Sequence, residues 1–162
     1  MDSDAISEYP RFRWLAAGKI AGAPHPDLVG GIEAVASFLR EQGIGSIVSL
    51  CERPLRANVE SMGFSYLFAE TPDLRPPMDL QRILGFMEMQ VEQGKGVLVH
   101  CFAGIGRTGT VLAAWLLRQE PTLTTTEAVA RVREVYIPVY AQNRFPEHPT
   151  QLAALRKFAL TR

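Results

Sequence analysis

Several features are scarce in this sequence of 162 residues. It has only two cysteines, Cys51 and Cys101, which are too few for the disulfide framework of a small secreted domain. Its three histidines are scattered and show no zinc-like spacing. No apolar run approaches the roughly 20 residues of a membrane span, and the first residues lack the apolar core of a signal peptide. These absences predict a cytoplasmic protein that needs no metal ion.

The chain also lacks a net charge, since 17 Lys and Arg residues balance 17 Asp and Glu residues. Neither nucleic acid nor an anionic membrane is therefore expected as a partner, and any positive field must be local. An apolar content of 47% is enough for one hydrophobic core. We expect a flexible tail at residues 1–10, which are polar and end at Pro10, and a single domain over residues 11–162.

Short apolar segments alternate along the chain with amphipathic ones. The pattern predicts strands within 12–21 and at 46–50, 64–68 and 97–99, and helices near 28–39, 57–62, 80–91, 111–117, 124–135 and 152–159. Alternating strands and helices are typical of an α/β protein that is layered around a sheet.

Residues 96–118 predict a buried strand, a tight loop and a central helix. The loop and the helix start leave backbone N–H groups without intrahelical partners, and the helix dipole adds partial positive charge there. Such a place binds anions. Cys101 lies at its mouth, where a thiolate is stabilised, and Arg107 can hold two oxygens of a phosphate.

The run His100-Cys101, five residues and Arg107-Thr108 resembles the signature of the cysteine-dependent protein tyrosine and dual-specificity phosphatases, in particular the small atypical ones. The resemblance covers about residues 12–160. It implies a phosphatase fold with a central five-stranded, mixed and largely parallel sheet in the order 1-2-5-3-4, flanked by helices. It also implies a monomer without cofactor, with phosphate, sulfate or vanadate held by the loop residues Phe102, Ala103, Gly104, Ile105, Gly106 and Arg107.

Two other interpretations use the same residues. Gly104, Gly106 and Gly109 also fit the dinucleotide pattern G-x-G-x-x-G, which is weak alone. A dinucleotide-binding unit needs a second parallel strand after the helix, whereas the chain after Gln119 shows helical signals. Alternatively, Cys101 is a buried structural thiol in a glycine-rich turn, which would leave Arg107 without a partner.

The chemistry needs a nucleophile, charge neutralisation and a proton for the leaving group. Cys101 and Arg107 supply the first two. Asp73, 28 residues before the cysteine, lies in Thr-Pro-Asp-Leu-Arg-Pro-Pro, which is similar to the acid-bearing loop of the family. The simpler interpretation is an Asx turn beside Pro72.

By position, the resemblance gives two further residues a role. His100 would orient the loop and tune the thiolate, and Thr108 would donate a hydrogen bond to the cysteine sulfur. A plain core histidine is the alternative for His100.

Cys51 ends a strand that is expected beside the strand of Cys101. Neighbouring strands lie about 4.8 Å apart and half-cystine Cα atoms about 4.4–6.8 Å apart. A reversible Cys51–Cys101 disulfide that protects the nucleophile is therefore a hypothesis, and some relatives have a cysteine in this position. The alternative is that Cys51 is a small buried apolar residue.

The loop residues Phe102, Ala103 and Ile105 are uncharged, whereas phosphoinositide-cleaving relatives carry lysines there. The loop after Cys51 is short, which predicts a shallow pocket. The uncharged loop favours a phosphoprotein over a polyanionic lipid as substrate. A shallow pocket would admit phosphotyrosine and also phosphoserine or phosphothreonine. Three arginines are expected at the rim of the pocket, where they would favour acidic substrates: Arg53, Arg56 and Arg75.

Other functions remain open. The anion site could bind phosphopeptides without turnover, or the enzyme could act on an RNA 5′-phosphate or a phosphoinositide. One departure from the family concerns residues 133–138, where many relatives show Arg-Pro and this chain has Arg-Glu-Val-Tyr-Ile-Pro. The enlarged loop 137–149 follows, and its role in binding is open.

Overall fold

A computed structural model describes residues 8–162. A five-stranded sheet lies at its centre, with the strand order β1-β2-β5-β3-β4. Strand β1 is antiparallel to β2, and the other neighbours are parallel. The α/β class and the strand order are those predicted. The strands are β1 (Arg13–Ala16), β2 (Ile20–Ala23), β3 (Ile44–Ser49), β4 (Ser65–Phe68) and β5 (Gly96–His100).

The helices flank this sheet, joined by short 3₁₀ turns at Pro26–Val29, Glu60–Met62 and Val139–Arg144. They are α1 (Ile32–Glu41), α2 (Leu80–Glu92), α3 (Gly106–Gln119), α4 (Thr125–Val135) and α5 (Pro149–Thr161). The first helix begins four residues later than expected, because the apolar residues before it belong to the 3₁₀ turn. The 57–62 helix is likewise reduced to a 3₁₀ turn.

The start of α4 follows directly from its sequence. The Thr124 hydroxyl accepts the Glu127 N–H at 3.1 Å, and the Glu127 carboxylate accepts the Thr124 N–H at 2.9 Å. This reciprocal capping box satisfies two backbone donors that a helix start leaves free. The predicted helix start is confirmed.

Two apolar clusters cover the two faces of the sheet. One packs α1 against the sheet together with Tyr9, Phe12 and Trp14. The other packs α2, α3, α4 and α5 against the opposite face. Residues 106–117 of α3 are all buried, which explains why this helix is apolar on nearly every side. The helix that begins beside Cys101 is thus held by the core.

The parallel strands bring the functional residues to one edge of the sheet. Ser49, at the end of β3, lies opposite His100, at the end of β5. Since parallel strands end at the same edge, Cys51 and Cys101 leave the sheet side by side, together with the chain that follows β2 and β4.

At Tyr9 the structure differs from the predicted tail of residues 1–10. Residues 1–7 of that tail lie outside the described residues. Tyr9 is fully buried, and its hydroxyl donates to the Pro24 carbonyl at 2.6 Å. The residues around Tyr9 are mostly polar, so the composition of this stretch does not indicate that the ring is buried. Within residues 8–162, every helix is too short or too polar to cross a lipid bilayer.

Candidate active site

Residues 101–106, which follow β5 and include the first residue of α3, form a loop that is called the phosphate loop below. Each of its six carbonyls accepts a hydrogen bond from a donor outside the loop. The donors are His100 Nδ1 to Cys101 (3.0 Å), His25 N to Phe102 (2.8 Å), Arg11 Nη1 to Ala103 (2.7 Å), Tyr136 Oη to Gly104 (2.8 Å), Gly109 N to Ile105 (2.7 Å) and Thr110 Oγ1 to Gly106 (2.7 Å).

These bonds determine the direction of the amides. In a trans peptide the N–H points opposite to the C=O of the preceding residue. With the carbonyls held outward, the N–H groups of residues 102–107 face the other side, as the sequence predicts for an anion cradle. Gly104 has a φ of 74°, a left-handed conformation that glycine adopts without strain.

Cys101 lies where this cradle meets the start of α3. The side chain is almost wholly buried. Thr108 donates its hydroxyl to Cys101 Sγ at 3.0 Å, which is the contact that the family resemblance implied. The sulfur thus has a hydrogen-bond donor in the first turn of α3, at the end of the loop that surrounds it.

Arg107 is held by partners that the motif does not contain. Its Nη1 donates to Glu52 Oε1 and to the Thr71 carbonyl, both at 2.9 Å. Among the described residues, the Nε and Nη2 edge of the guanidinium makes no hydrogen bond, and its charged neighbour is Asp73, at 3.6 Å from Nη2. This edge is suited to two oxygens of an anion at once. The hydrogen bond from Arg107 lowers the pKa of Glu52, so this carboxylate stays ionised and keeps Arg107 in place.

Asp73 lies close to Arg107 on the loop after β4. Its Oδ1 is 3.6 Å from Arg107 Nη2, and the side chain is 64% exposed. The same oxygen accepts the Leu74 N–H at 2.9 Å, while the Asp73 N–H donates to Glu52 Oε2 at 3.1 Å. Asp73 thus makes the hydrogen bond of an Asx turn and also lies beside Arg107. It lines the same cavity as Cys101.

His100 is buried and supports the loop from behind. Its Nδ1 donates to the Cys101 carbonyl, so Nε2 accepts from Ser49 Oγ at 2.6 Å. Ser49 in turn accepts from the Tyr66 hydroxyl at 2.9 Å. Burial lowers the pKa of His100 to about 3, and the ring is therefore neutral at physiological pH. Its contribution is orientation of the loop rather than positive charge.

Cys101, Arg107 and Asp73 border a cavity of about 720 Å³. Arg53 and Arg56 line it, as expected of rim residues, but Arg75 does not. Arg144 and Glu147 also line the cavity, and Arg144 Nη2 is 3.5 Å from Glu147 Oε2. The 137–149 loop that departs from the family pattern thus forms part of the pocket wall.

Cys51 also borders the cavity, and both cysteines are free thiols. Burial, reinforced by the nearby Cys101, raises the pKa of Cys51 to about 12. Its thiol is thus protonated and unreactive at neutral pH. The disulfide between Cys51 and Cys101 stays a prediction.

Two of the scattered histidines meet here, although their spacing in the sequence is not that of a metal site. Donor atoms of His25, Cys51 and His100 lie within 4.8 Å of one another. Both ring nitrogens of His100 are already engaged, however, by Ser49 and by the Cys101 carbonyl. A metal ion would have to displace one of these bonds, so the cluster is not suited to hold one.

Several residues of the site belong to no motif in the sequence. Glu52 could have been found, because it follows a strand next to the strand of Cys101, at the edge where acidic partners of Arg107 would be expected. His25 both caps the start of the 3₁₀ turn and donates its backbone N–H to the Phe102 carbonyl. Arg11 and Tyr136 reach the loop from 92 and 32 residues away, and only the fold brings them there.

Known proteins resemble this chain in sequence and in fold. A family model described as "Polymorphic toxin system, DSP-PTPase phosphatase" matches residues 21–121. Dual specificity protein phosphatase 12 of Rattus norvegicus is 33% identical over 99 residues, which are 57% of this chain and 29% of that protein. Tyrosine-protein phosphatase cdc-14 of Caenorhabditis elegans is 30% identical over 132 residues, which are 75% of this chain and 18% of that protein. The chain thus spans less than a third of either relative.

Solved structures extend the likeness over nearly the whole chain. Tk-PTP in its active form is 27% identical, with a TM-score of 0.70, and the match covers 92% of this chain and 98% of that one. PTPMT1 in complex with PI(5)P has a TM-score of 0.75 at 18% identity, over 93% and 95% of the two chains, which is a likeness of fold alone. The chain belongs to the family of DSP-PTPase phosphatases, the hydrolases that use a cysteine nucleophile.

Proposed function

We propose that this protein is a phosphoprotein phosphatase that hydrolyses phosphotyrosine, and also phosphoserine or phosphothreonine, through a cysteinyl-phosphate intermediate. The observation that carries the proposal is the meeting of Cys101, Arg107 and Asp73 at one cavity, beneath a loop whose amides face inward. A nucleophile, a cation and a proton donor around one phosphate site are the three parts that monoester hydrolysis needs.

The reaction has two steps. Cys101 Sγ attacks phosphorus while the bond to the leaving oxygen breaks, and the protonated Asp73 gives its proton to that oxygen. The amides of the phosphate loop and Arg107 hold the equatorial oxygens, where charge develops. Water then attacks the phosphorus, Asp73 takes a proton from it, and the S–P bond breaks to release inorganic phosphate.

The lining of the cavity supports a phosphoprotein over a phosphoinositide. The central loop side chains are uncharged, and Phe102 is 57% exposed at the mouth, where an aromatic ring favours contact with an aryl group. Arg53 and Arg56 also line the cavity, where they suit acidic residues that flank a phosphorylated side chain. The phosphoinositide in the PTPMT1 structure belongs to a neighbour that shares the fold.

A panel of substrates at equal concentration tests this proposal. It contains phosphotyrosine and phosphothreonine peptides, PI(5)P vesicles and 5′-phosphorylated RNA, with phosphate release as the readout. We expect the highest kcat/KM for the phosphotyrosine peptides. Faster release from PI(5)P or from RNA would contradict the proposed substrate class. Binding of phosphopeptides without any release would instead indicate the non-catalytic binding module.

A further inference from the structure

The peptide between Ala103 and Gly104 in the phosphate loop is one whose orientation is not determined by the residues of the loop alone. Gly104 has a positive φ, and a Cβ at this position would lie 2.8 Å from the backbone of Ala23 and Pro24. Glycine is thus required by the close approach, yet glycine also permits the Ala103–Gly104 peptide to rotate. After a rotation, the Ala103 carbonyl would point into the cradle and the Gly104 N–H would leave it.

Arg11 opposes this rotation. Its Nη1 donates to the Ala103 carbonyl at 2.7 Å, from 92 residues away in the sequence. A charged donor makes a stronger hydrogen bond than a neutral one, and no rotated peptide could keep it. Tyr136 restrains the next carbonyl, that of Gly104. Two adjacent peptides are therefore fixed by residues that lie outside the signature motif.

The segment that carries Arg11 is itself anchored beside the loop. Arg11 has a φ of 72°, which is uncommon for a residue with a side chain. The turn is closed by the Phe12 N–H, which donates to the Tyr9 carbonyl at 3.0 Å. The buried Tyr9 donates its hydroxyl to the carbonyl of Pro24, whose nitrogen is in the backbone against which Gly104 packs. The same stretch of backbone thus supports both the turn 9–12 and the phosphate loop.

We infer that Arg11 is a positioning residue for the phosphate loop, so that phosphate binding and turnover depend on the turn 9–12. This inference deepens the proposed function and rests on it only for the direction of the catalytic effect. Arg11 does not line the cavity. It acts by holding the Ala103 carbonyl outward and the Gly104 N–H inward.

The variant Arg11→Gly tests the inference, because glycine adopts the left-handed turn without strain while the side chain with its guanidinium is lost. Arg13→Gln is the matched control, since it removes the same charge from an exposed side chain two residues away. Three quantities are measured for each: kcat/KM with p-nitrophenyl phosphate, the Kd for tungstate by calorimetry, and the Tm.

We expect Arg11→Gly to lower kcat/KM and tungstate affinity by about 10- to 100-fold, the range for loss of a charged hydrogen bond. Arg13→Gln should match the wild type. Millimolar guanidinium should restore part of the activity of Arg11→Gly, at a concentration far below denaturing levels, whereas urea should not. Unchanged activity and tungstate affinity in Arg11→Gly would overturn the inference.

A purely structural role would also overturn it. In that case the loss of activity would follow the loss of Tm and would not respond to guanidinium. If Arg11→Gly is too unstable to measure, Arg11→Asn serves in its place, since asparagine tolerates the left-handed region. Because tungstate binding needs no turnover, it separates this inference from the proposed function. Weak tungstate binding in Arg11→Gly supports the inference even if phosphoproteins are not the substrate.

Discussion

The phosphate loop and the loop of Asp73 face the same cavity but are held very differently. Every carbonyl of the phosphate loop is bonded to a donor outside the loop, and the side chains of Cys101 and Ile105 are buried. Asp73 is largely exposed, and its described contacts are with Leu74, Glu52 and Arg107. The cradle is thus held by many hydrogen bonds, whereas the side chain of Asp73, which we propose as the proton donor, is exposed and held by few. Fixed dipoles need no reorganisation during the reaction.

Glu52 connects the two loops. One of its oxygens accepts from Arg107 and the other accepts the Asp73 N–H. A single carboxylate thus places the cation and the acid relative to each other. The contrast between the phosphate loop, which is the fixed side, and the loop of Asp73, which is the adjustable side, can be tested by substitutions in each.

The largest effect is expected from Cys101→Ser. Loss of the nucleophile should lower kcat by about 10⁴-fold or more, the order found when a nucleophile is removed elsewhere. Because the amides do not depend on the sulfur, the variant should still bind tungstate. Phosphate release measures turnover, and calorimetry measures tungstate binding. Loss of turnover with unchanged tungstate binding would show that the anion site keeps its structure without the nucleophile. Turnover at the wild-type rate would exclude the cysteinyl-phosphate route.

Asp73→Asn changes the adjustable side. It should lower kcat by about 10²- to 10⁴-fold with a phosphotyrosine peptide, since a general acid contributes that much. The loss should be smaller with p-nitrophenyl phosphate, whose leaving group needs less protonation. Glu70→Gln is the control, an exposed carboxylate on the same loop. Equal losses in the two variants would argue against a specific role for Asp73.

Tyr136→Phe changes the fixed side by a single hydroxyl. The Gly104 carbonyl would lose its donor, and an unpaired buried acceptor costs about 1–3 kcal/mol. We expect kcat/KM to fall about 10-fold with p-nitrophenyl phosphate, while the ring keeps its packing against Gly22. Tyr140→Phe, at a tyrosine that is 77% exposed, is the control. An unchanged kcat/KM in Tyr136→Phe would show that the loop does not need this bond.

The smallest effect concerns stability and pH. Burial lowers the pKa of His100 to about 3, whereas an unfolded histidine titrates near 6.5. The unfolded state therefore binds more protons below pH 6.5, and stability falls as the pH drops from 7.5 to 5.5, by about 1.4 kcal/mol from this residue. His100→Asn should flatten the dependence of the unfolding free energy on pH in that window. Parallel curves for the two proteins would contradict a neutral, buried His100.

Much of the site could be predicted because its central part is contiguous in the sequence. Cys101, Arg107 and Thr108 lie in one strand–loop–helix unit, whose geometry follows from local rules. The strand order also followed, from resemblance to the family. Tyr136 could not be assigned, since its role depends on which helix packs beside the loop. Glu52 was missed although its place after the strand beside that of Cys101 was a usable signal. Tyr9 was missed for another reason, because a single aromatic in a polar stretch has no periodicity to reveal its burial.

The parallel arrangement of β3, β4 and β5 has a practical consequence. All three strands deliver their carboxyl ends to the cavity, so the turns that precede them lie at the opposite edge of the molecule. Gln93, in the exposed turn before β5, is therefore a suitable attachment point for a fluorophore or a surface tether. A cysteine introduced there would report on the folded protein, or immobilise it, with the entrance for phosphorylated molecules left open to solution.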